Sequence, residues 1–134
     1  MSLSNLKTIE LANRTLIIDG KLDRVAGYFT TDYVAHVTGR DFTGGHKLVK
    51  KLVREYRRAF LEIEILIEVL VKAKNRISWQ RTLKARQAGP FKCFPASSRQ
   101  IVWCDMVTTG FRDGLIAEDW VITDLAEQLL LARK

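Results

Sequence analysis

The sequence predicts an α+β fold, with helices first and a meander of antiparallel strands last. Three observations carry that expectation. Apolar residues recur at helical spacing as far as Phe60 and alternate at strand spacing after it. The later runs are rich in Ile and Val and are separated by short turn signals. Helices and strands segregated in this way pack as helices against one face of a sheet.

Residues 4–19 place Leu6, Ile9, Ala12, Leu16 and Ile17 on one helical stripe, and Gly20 stops it. Residues 21–29 read as a second short helix, 33–37 (YVAHV) as a short strand and TGRDFTGG as a loop. Residues 45–60 form the clearest amphipathic helix, with Leu48, Val49, Leu52, Val53, Tyr56 and Phe60 on its inner face. Strands follow at 62–73 and 76–87, turned by Lys74 and Asn75. A loop holding Pro90 and Pro95 leads to strands at 99–111 and 115–123, joined by Arg112, Asp113 and Gly114. A last helix starts at Thr123 or Asp124 and carries Leu125, Leu129 and Leu130.

The length of 134 residues fits one domain, 1–134, able to bury a single sizeable core. No run approaches the ~18 apolar residues of a membrane span, and MSLSNLKTIE has none of the parts of a signal peptide. Cys93 and Cys104 match no metal spacing and are too few for a disulfide scaffold. These features predict a reduced, soluble, cytoplasmic protein with no membrane partner. The net charge of +7 permits an anionic partner without identifying one.

Three segments resemble a known family. WQRTLKARQAGPFKCFPASSRQIVW is similar to a SnoaL-like segment through Thr82, Gly89, Phe91, Pro95 and Arg99. FRDGLIAEDWVITDL resembles that family's closing hairpin through Asp113, Gly114, Ile116, Glu118, Trp120 and Asp124. YFTTDYVAHVTG looks like its tyrosine–aspartate–histidine stretch, with His36 at the histidine. The resemblance is to the SnoaL-like polyketide cyclase and ester cyclase family of the nuclear transport factor 2-like superfamily, over residues 20–130. It implies a cone: a curved antiparallel sheet packed on N-terminal helices around a central cavity. It also implies a choice among cyclases, isomerases and non-catalytic binding domains, because a shared fold does not settle function. Val121 stands where the family's acid/base aspartate follows the tryptophan, Asp119 where a histidine precedes it, and Gln87 at another family histidine.

The hairpin itself suggests chemistry. A three-residue turn pairs Phe111 with Leu115, Val107 with Asp119 and Asp105 with Val121. Asp105 and Asp119 then share one face as diagonal neighbours, about 5–8 Å apart, among Trp103, Val107, Ala117 and Val121. Burial and mutual repulsion would raise at least one pKa, as acid/base chemistry on a carbonyl compound requires. Two other readings stay open. The carboxylates could pair with Arg81 or Arg99, and a two-residue turn would send them to opposite faces. His36 is a candidate third catalytic group on the strength of the resemblance, as a polar anchor. Trp79, Arg81, Trp103, Val107 and Val121 are candidates for shaping or rimming a substrate pocket.

His46 reads as exposed, and no third ligand stands at metal spacing, so neither a metal nor a cofactor is expected. Lys47, Lys50, Lys51, Arg54, Arg57 and Arg58 form a basic stripe without interleaved aromatics. A solvated helix face accounts for it, and nucleic-acid binding is not expected. Val102, Cys104, Met106, Ile116, Trp120 and Ile122 make an apolar outer sheet face with no helix left to cover it. A homodimer centred near Trp120 is the expected cover. The sequence therefore predicts a binder of an apolar, carbonyl-bearing small molecule, acting as a cofactor-free cyclase or isomerase. The alternative is a non-catalytic ligand-binding or assembly module of the same fold.

Overall fold

Ser4 opens the first helix: its hydroxyl accepts a hydrogen bond from the Lys7 amide, 3.2 Å, satisfying a donor that the helix leaves orphaned. This cap begins the part of the chain described by the computed structural model, residues 4–133. Residues 1–3 and 134 of the expected 1–134 domain lie outside the described residues, as does the start of the MSLSNLKTIE segment.

Helix α1 (Asn5–Ala12) widens into a π-helical stretch, Asn13–Ile18, where the sequence suggested one uniform helix. The Asn13 side chain donates to the Ile9 carbonyl, 2.9 Å, while its oxygen is turned inward. Such bulges redirect a side chain at modest backbone cost. A 3₁₀ segment, Leu22–Gly27, replaces the expected helix of 21–29. Strand β1 (Phe29–Val37) starts four residues earlier than predicted, alternating Phe29, Tyr33 and Ala35 inward. The expected loop contains a short strand, β2 (Arg40–Phe42), closed onto β1 by Thr38 and Gly39, both at positive φ. Three residues carry too little periodicity to read as a strand.

Helix α2 (Gly45–Ala59) leads directly into β3 (Phe60–Lys72), followed by β4 (Arg76–Gln87), β5 (Gln100–Arg112), β6 (Leu115–Thr123) and α3 (Leu125–Ala132). The six-stranded sheet has the order β2-β1-β6-β5-β4-β3 and is not closed. It is antiparallel except for β1 against β6, a parallel pair absent from the predicted all-antiparallel sheet. The parallel arrangement follows from the long connection: β1 is placed before the meander and returns beside its last strand. Gly45 lets α2 start against β1. At φ +59° its missing Cβ would lie 2.0 Å from the Thr31 carbonyl oxygen.

The β5–β6 hairpin corrects the predicted register. Arg112 pairs with Leu115 around a two-residue Asp113–Gly114 turn with both residues at positive φ. Phe111 then opposes Ile116 while Gly110 opposes Glu118, so Ala117 is an extra, bulged residue. Val107 therefore faces Val121, Thr109 faces Asp119 and Asp105 faces Thr123; none of the three predicted pairs forms. The turn shifts the register by one residue and the bulge by another. The two shifts together restore the predicted parity, so Asp119 still shares the inner face with Asp105. Ile116 does not share the outer face: it precedes the bulge and is buried at 4% exposure.

Buried residues form two clusters. One joins α1, the π-helical stretch, β1, α2 and the central strands; the other gathers Phe60, Leu83, Phe91, Ile101 and Trp103 under Leu125 and Leu129 of α3. With α3 committed to the inner face, Val102, Met106 and Ile122 of the outer face remain 49%, 43% and 62% exposed. No helix among the described residues is long and apolar enough to cross a membrane.

Candidate active site

The cone encloses a cavity of about 410 Å³ between the sheet's inner face and the helices, within the range of small-molecule sites. Apolar side chains from every surrounding element line it, among them Leu16, Leu48, Val53 and Ile116. Besides Arg40, Lys51, Glu55 and Lys92, two hydrogen-bonded polar centres interrupt that lining.

The first is Asp119. Strand alternation aims it inward from β6, where Tyr33 of β1 and Thr109 of β5 reach it from the two adjacent strands. The Tyr33 hydroxyl donates to Oδ2, 2.6 Å, and the Thr109 hydroxyl donates to Oδ1, 2.5 Å. The ionised carboxylate can only accept, so Thr109 donates to it while its Oγ1 accepts from Trp79 Nε1, 2.9 Å. Both bonds favour the ionised carboxylate, yet burial outweighs them and raises the Asp119 pKa above the usual carboxylate value. The same burial, with the Asp119 charge beside it, pushes Tyr33 well above the usual phenol value. Asp119 is half-buried, since the cavity gives access to it.

The second centre is Arg81 on β4. Asp105, opposite it on β5, accepts from Arg81 Nε at 3.1 Å and from Nη2 at 2.6 Å, both through Oδ2. Asn13 accepts from Nη1 at 2.7 Å, which is what the turned amide of the π-helical stretch accomplishes. The Trp79 ring lies beneath the guanidinium, 5.5 Å from it. Tyr56 of α2 also lines the cavity. Burial, then the Asp105 charge, lifts its hydroxyl to about 12, so it remains a neutral donor.

Of the residues singled out from sequence, Asp119, Trp79, Arg81, Val107 and Val121 line the cavity together. Asp105 does not: it sits behind Arg81 at 1% exposure, and its expected diagonal contact with Asp119 is absent. Asp105 lies four positions along β5 from Thr109, Asp119's partner, about 13 Å along a strand. Trp103 belongs to the second core cluster, 4.7 Å from the Phe60 ring, and is not a cavity residue. His36 lies on the outer face, stacked on Trp120 at 5.4 Å. Asp41 holds its Nδ1 at 2.6 Å and Glu118 its Nε2 at 2.5 Å, so neither nitrogen is free for a ligand in the cavity. Those carboxylates, Asp41 first, raise the His36 pKa.

Sequence alone singled out none of Tyr33, Thr109 and Asn13, and it placed Tyr56 only on the inner face of its helix. Parity held the signal for the first two, since Tyr33 shares a face with Ala35, and Thr109 with Val107. Gln87, at the position of a family histidine, is buried and braces the loop after β4, donating to the Pro95 carbonyl and accepting from the Ser97 amide. That loop carries Phe91 and Lys92 to the cavity. Among the described residues no group of His, Cys, Asp or Glu is arranged to hold a metal ion.

Residues 7–130 match the sequence pattern of the SnoaL-like polyketide cyclases. The chain belongs to that family. A candidate polyketide cyclase from Acidithiobacillus ferrooxidans shares its fold with a TM-score of 0.82 at 20% identity, over 98% of this chain and 99% of that one. TsrD from Streptomyces laurentii gives a TM-score of 0.80 at 17% identity, over 96% and 97%. IdmH from Streptomyces antibioticus, a candidate polyketide cyclase, gives 0.79 at 16%, over 98% and 99%. No curated protein gives a sequence match. The family match thus spans nearly the whole chain.

A raised Asp119 pKa carries a consequence for stability. Between the unfolded carboxylate value, ~3.9, and the higher folded value, the native state binds more protons, so stability falls as pH rises through that window. Asp119→Asn removes the charge. Its oxygen can accept from Thr109, and its NH₂ can donate to Tyr33 once that hydroxyl rotates to accept. The variant should gain stability relative to the wild type as pH rises above about 4, with the gain levelling off above the folded pKa. Urea midpoints measured across this range check it. A difference that is constant with pH, or that shrinks as pH rises, contradicts the raised value.

Proposed function

We propose that the chain binds an apolar, carbonyl-bearing small molecule and catalyses cofactor-free proton transfer on it, with Asp119 as acid/base. One observation carries this reading: a carboxylate of raised pKa faces an apolar cavity, held at both oxygens by Tyr33 and Thr109. Membership of the SnoaL-like family points the same way, toward a small-molecule cyclase or isomerase. The resemblance puts the family's acid/base aspartate at Val121, which lines the cavity two residues beyond Asp119 on the same strand face. A carboxylate is thus kept at this wall, displaced by about 7 Å.

Each Asp119 oxygen accepts one hydrogen bond and keeps a lone pair for a substrate proton. The carboxylate takes a proton from the carbon beside a ligand carbonyl. The C–H electron pair becomes the C=C bond of an enolate, and the carbonyl π pair moves to oxygen. In isomerisation the acid form of Asp119 returns the proton to another carbon. In aldol-type cyclisation the enolate carbon bonds to a second carbonyl of the same molecule, and the resulting alkoxide takes the proton. Tyr33 and Thr109 hold the carboxylate in one orientation throughout. Trp79, Val107 and Val121 give the ligand an apolar bed that excludes water.

The probe for this reaction is exchange of the α-hydrogens of 2-tetralone in D₂O, followed by NMR. Wild-type protein should accelerate exchange over buffer, with the rate falling as pH drops through the raised Asp119 pKa. Asp119→Asn should lower the catalysed rate by roughly 10²–10⁴-fold. Tetralone that binds in the cavity but exchanges no faster than in buffer contradicts the catalytic reading and favours a non-catalytic binding module.

The assembly reading rests on the outer sheet face. Leu66, Leu70, Val102, Met106 and Ile122 are each more than 40% exposed there, beside Trp120. We propose that a second copy covers it. Sedimentation should give a homodimer at micromolar concentration, and Met106→Glu with Ile122→Glu should give a folded monomer. A wild-type monomer at that concentration, or a double variant that stays dimeric, contradicts it.

A further inference from the structure

Arg81 is a buried cation set in the wall of an apolar cavity, with 14% of its side chain exposed. Buried ion pairs rarely add net stability, because desolvation cancels much of the Coulombic gain. A well-packed apolar pair would serve the fold at least as well at Arg81 and Asp105. The arrangement around Arg81 instead fixes its orientation. Asp105 takes the Nε and Nη2 edge, Asn13 takes one hydrogen of Nη1, and the Trp79 ring supports the plane. A guanidinium has five N–H groups. Three are used, so Nη1 and Nη2 each keep one hydrogen without a partner among the described residues. Both nitrogens belong to a side chain that lines the same cavity as Asp119. Trp79 links the centres: its ring carries the guanidinium, and its N–H directs the Thr109 hydroxyl to Asp119.

From this geometry we infer that Arg81 is a second catalytic residue, binding the carbonyl oxygen of the ligand and stabilising the enolate oxygen that forms when Asp119 removes the neighbouring proton. Asn13 and Asp105 are its positioning residues. The inference rests on the proton-transfer reading above and narrows the ligand to a ketone-like compound whose oxygen reaches Arg81 while its acidic C–H faces Asp119. A donor pair held rigidly in the cavity wall needs little reorganisation when charge develops on an oxygen that reaches it. Asp105 neutralises Arg81 in the resting cavity, so the cation does not demand a permanently charged ligand. An oxyanion that gains charge during the reaction is still stabilised by the two free N–H groups.

The test uses 2-naphthol, a planar mimic of the 2-tetralone enol whose neutral and ionised forms differ in absorbance. It is run in Asp119→Asn, where the side chain is neutral as it would be after accepting the proton. Naphtholate should bind at least about tenfold more tightly than naphthol, as expected for charge-assisted hydrogen bonds. The bound dye therefore ionises at lower pH than the free dye. Adding Arg81→Gln should remove that preference to within about twofold. Because Arg81→Gln leaves Asp105 buried and unpaired, the same measurement is made with Arg81→Gln and Asp105→Asn together, which keeps the wall neutral. Arg81→Lys should retain part of the preference, since it keeps the charge and loses the fork. Naphthol that binds with unshifted ionisation, or a shift that survives removal of Arg81, overturns the assignment to Arg81 and leaves the Asp119 reading intact. Failure of naphthol and tetralone alike to enter the wild-type cavity overturns both readings.

Discussion

Asp119 is joined by hydrogen bonds to both neighbouring strands, and the cavity wall depends on this junction. A carboxylate placed among apolar groups without partners would cost several kcal/mol or simply take up a proton. Here Tyr33 and Thr109 each give it a hydroxyl hydrogen, and Thr109 in turn accepts from Trp79. The bonds tie β1, β6, β5 and β4 together across the sheet through side chains as well as backbone. Burial nevertheless raises the Asp119 pKa, which would make it a stronger base than an exposed aspartate. Most of the rest of the lining is apolar, with Arg40, Lys51, Glu55, Tyr56 and Lys92 as further polar side chains.

The second polar centre is Arg81, and the two centres are built differently. Asp119 is surrounded by neutral donors and gains basicity from burial. Arg81 is compensated by a full opposite charge and keeps its own. Asn13 completes the second centre from outside the sheet, through a helix that widens at that residue. That irregularity has a local rationale: a regular helix continuing α1 would carry its side chains along another line. The cone therefore has a carboxylate on one strand and a fixed cation two strands away, with an indole between them. On the proposed reading they serve as base and oxyanion partner for proton transfer next to a carbonyl.

Much of this fold is legible in the sequence, and particular residues explain what is not. The amphipathic spacing from Leu48 to Val53 and the alternation from Ile101 to Phe111 are strong signals, because each matches one period over several repeats. The inward aim of Asp119 was legible as parity, although through the wrong register: a two-residue turn and a bulge at Ala117 offset each other. That register also decides which residues meet. It moves Asp105 away from Asp119 and gives Asp119 to Thr109, an exchange that no local pattern announces. Trp103 and His36 show the other limit. Trp103 is on the correct face but under α3, too far along the strand to reach the cavity. His36 is on the opposite face, with both nitrogens engaged by Asp41 and Glu118. Position along a strand and the partners of a histidine are tertiary facts.

The account depends on Asp119 being a carboxylate of raised pKa that faces the cavity and is held by Tyr33. Carboxyl carbon chemical shifts, followed by NMR through a pH titration, measure that directly in the wild type and in Tyr33→Phe. The wild-type resonance should titrate above the ordinary aspartate value of ~3.9. In Tyr33→Phe it should titrate higher still, because the lost hydrogen bond favoured the ionised form. An Asp119 that titrates at or below the ordinary value, or that does not respond to loss of the tyrosine hydroxyl, would contradict the account.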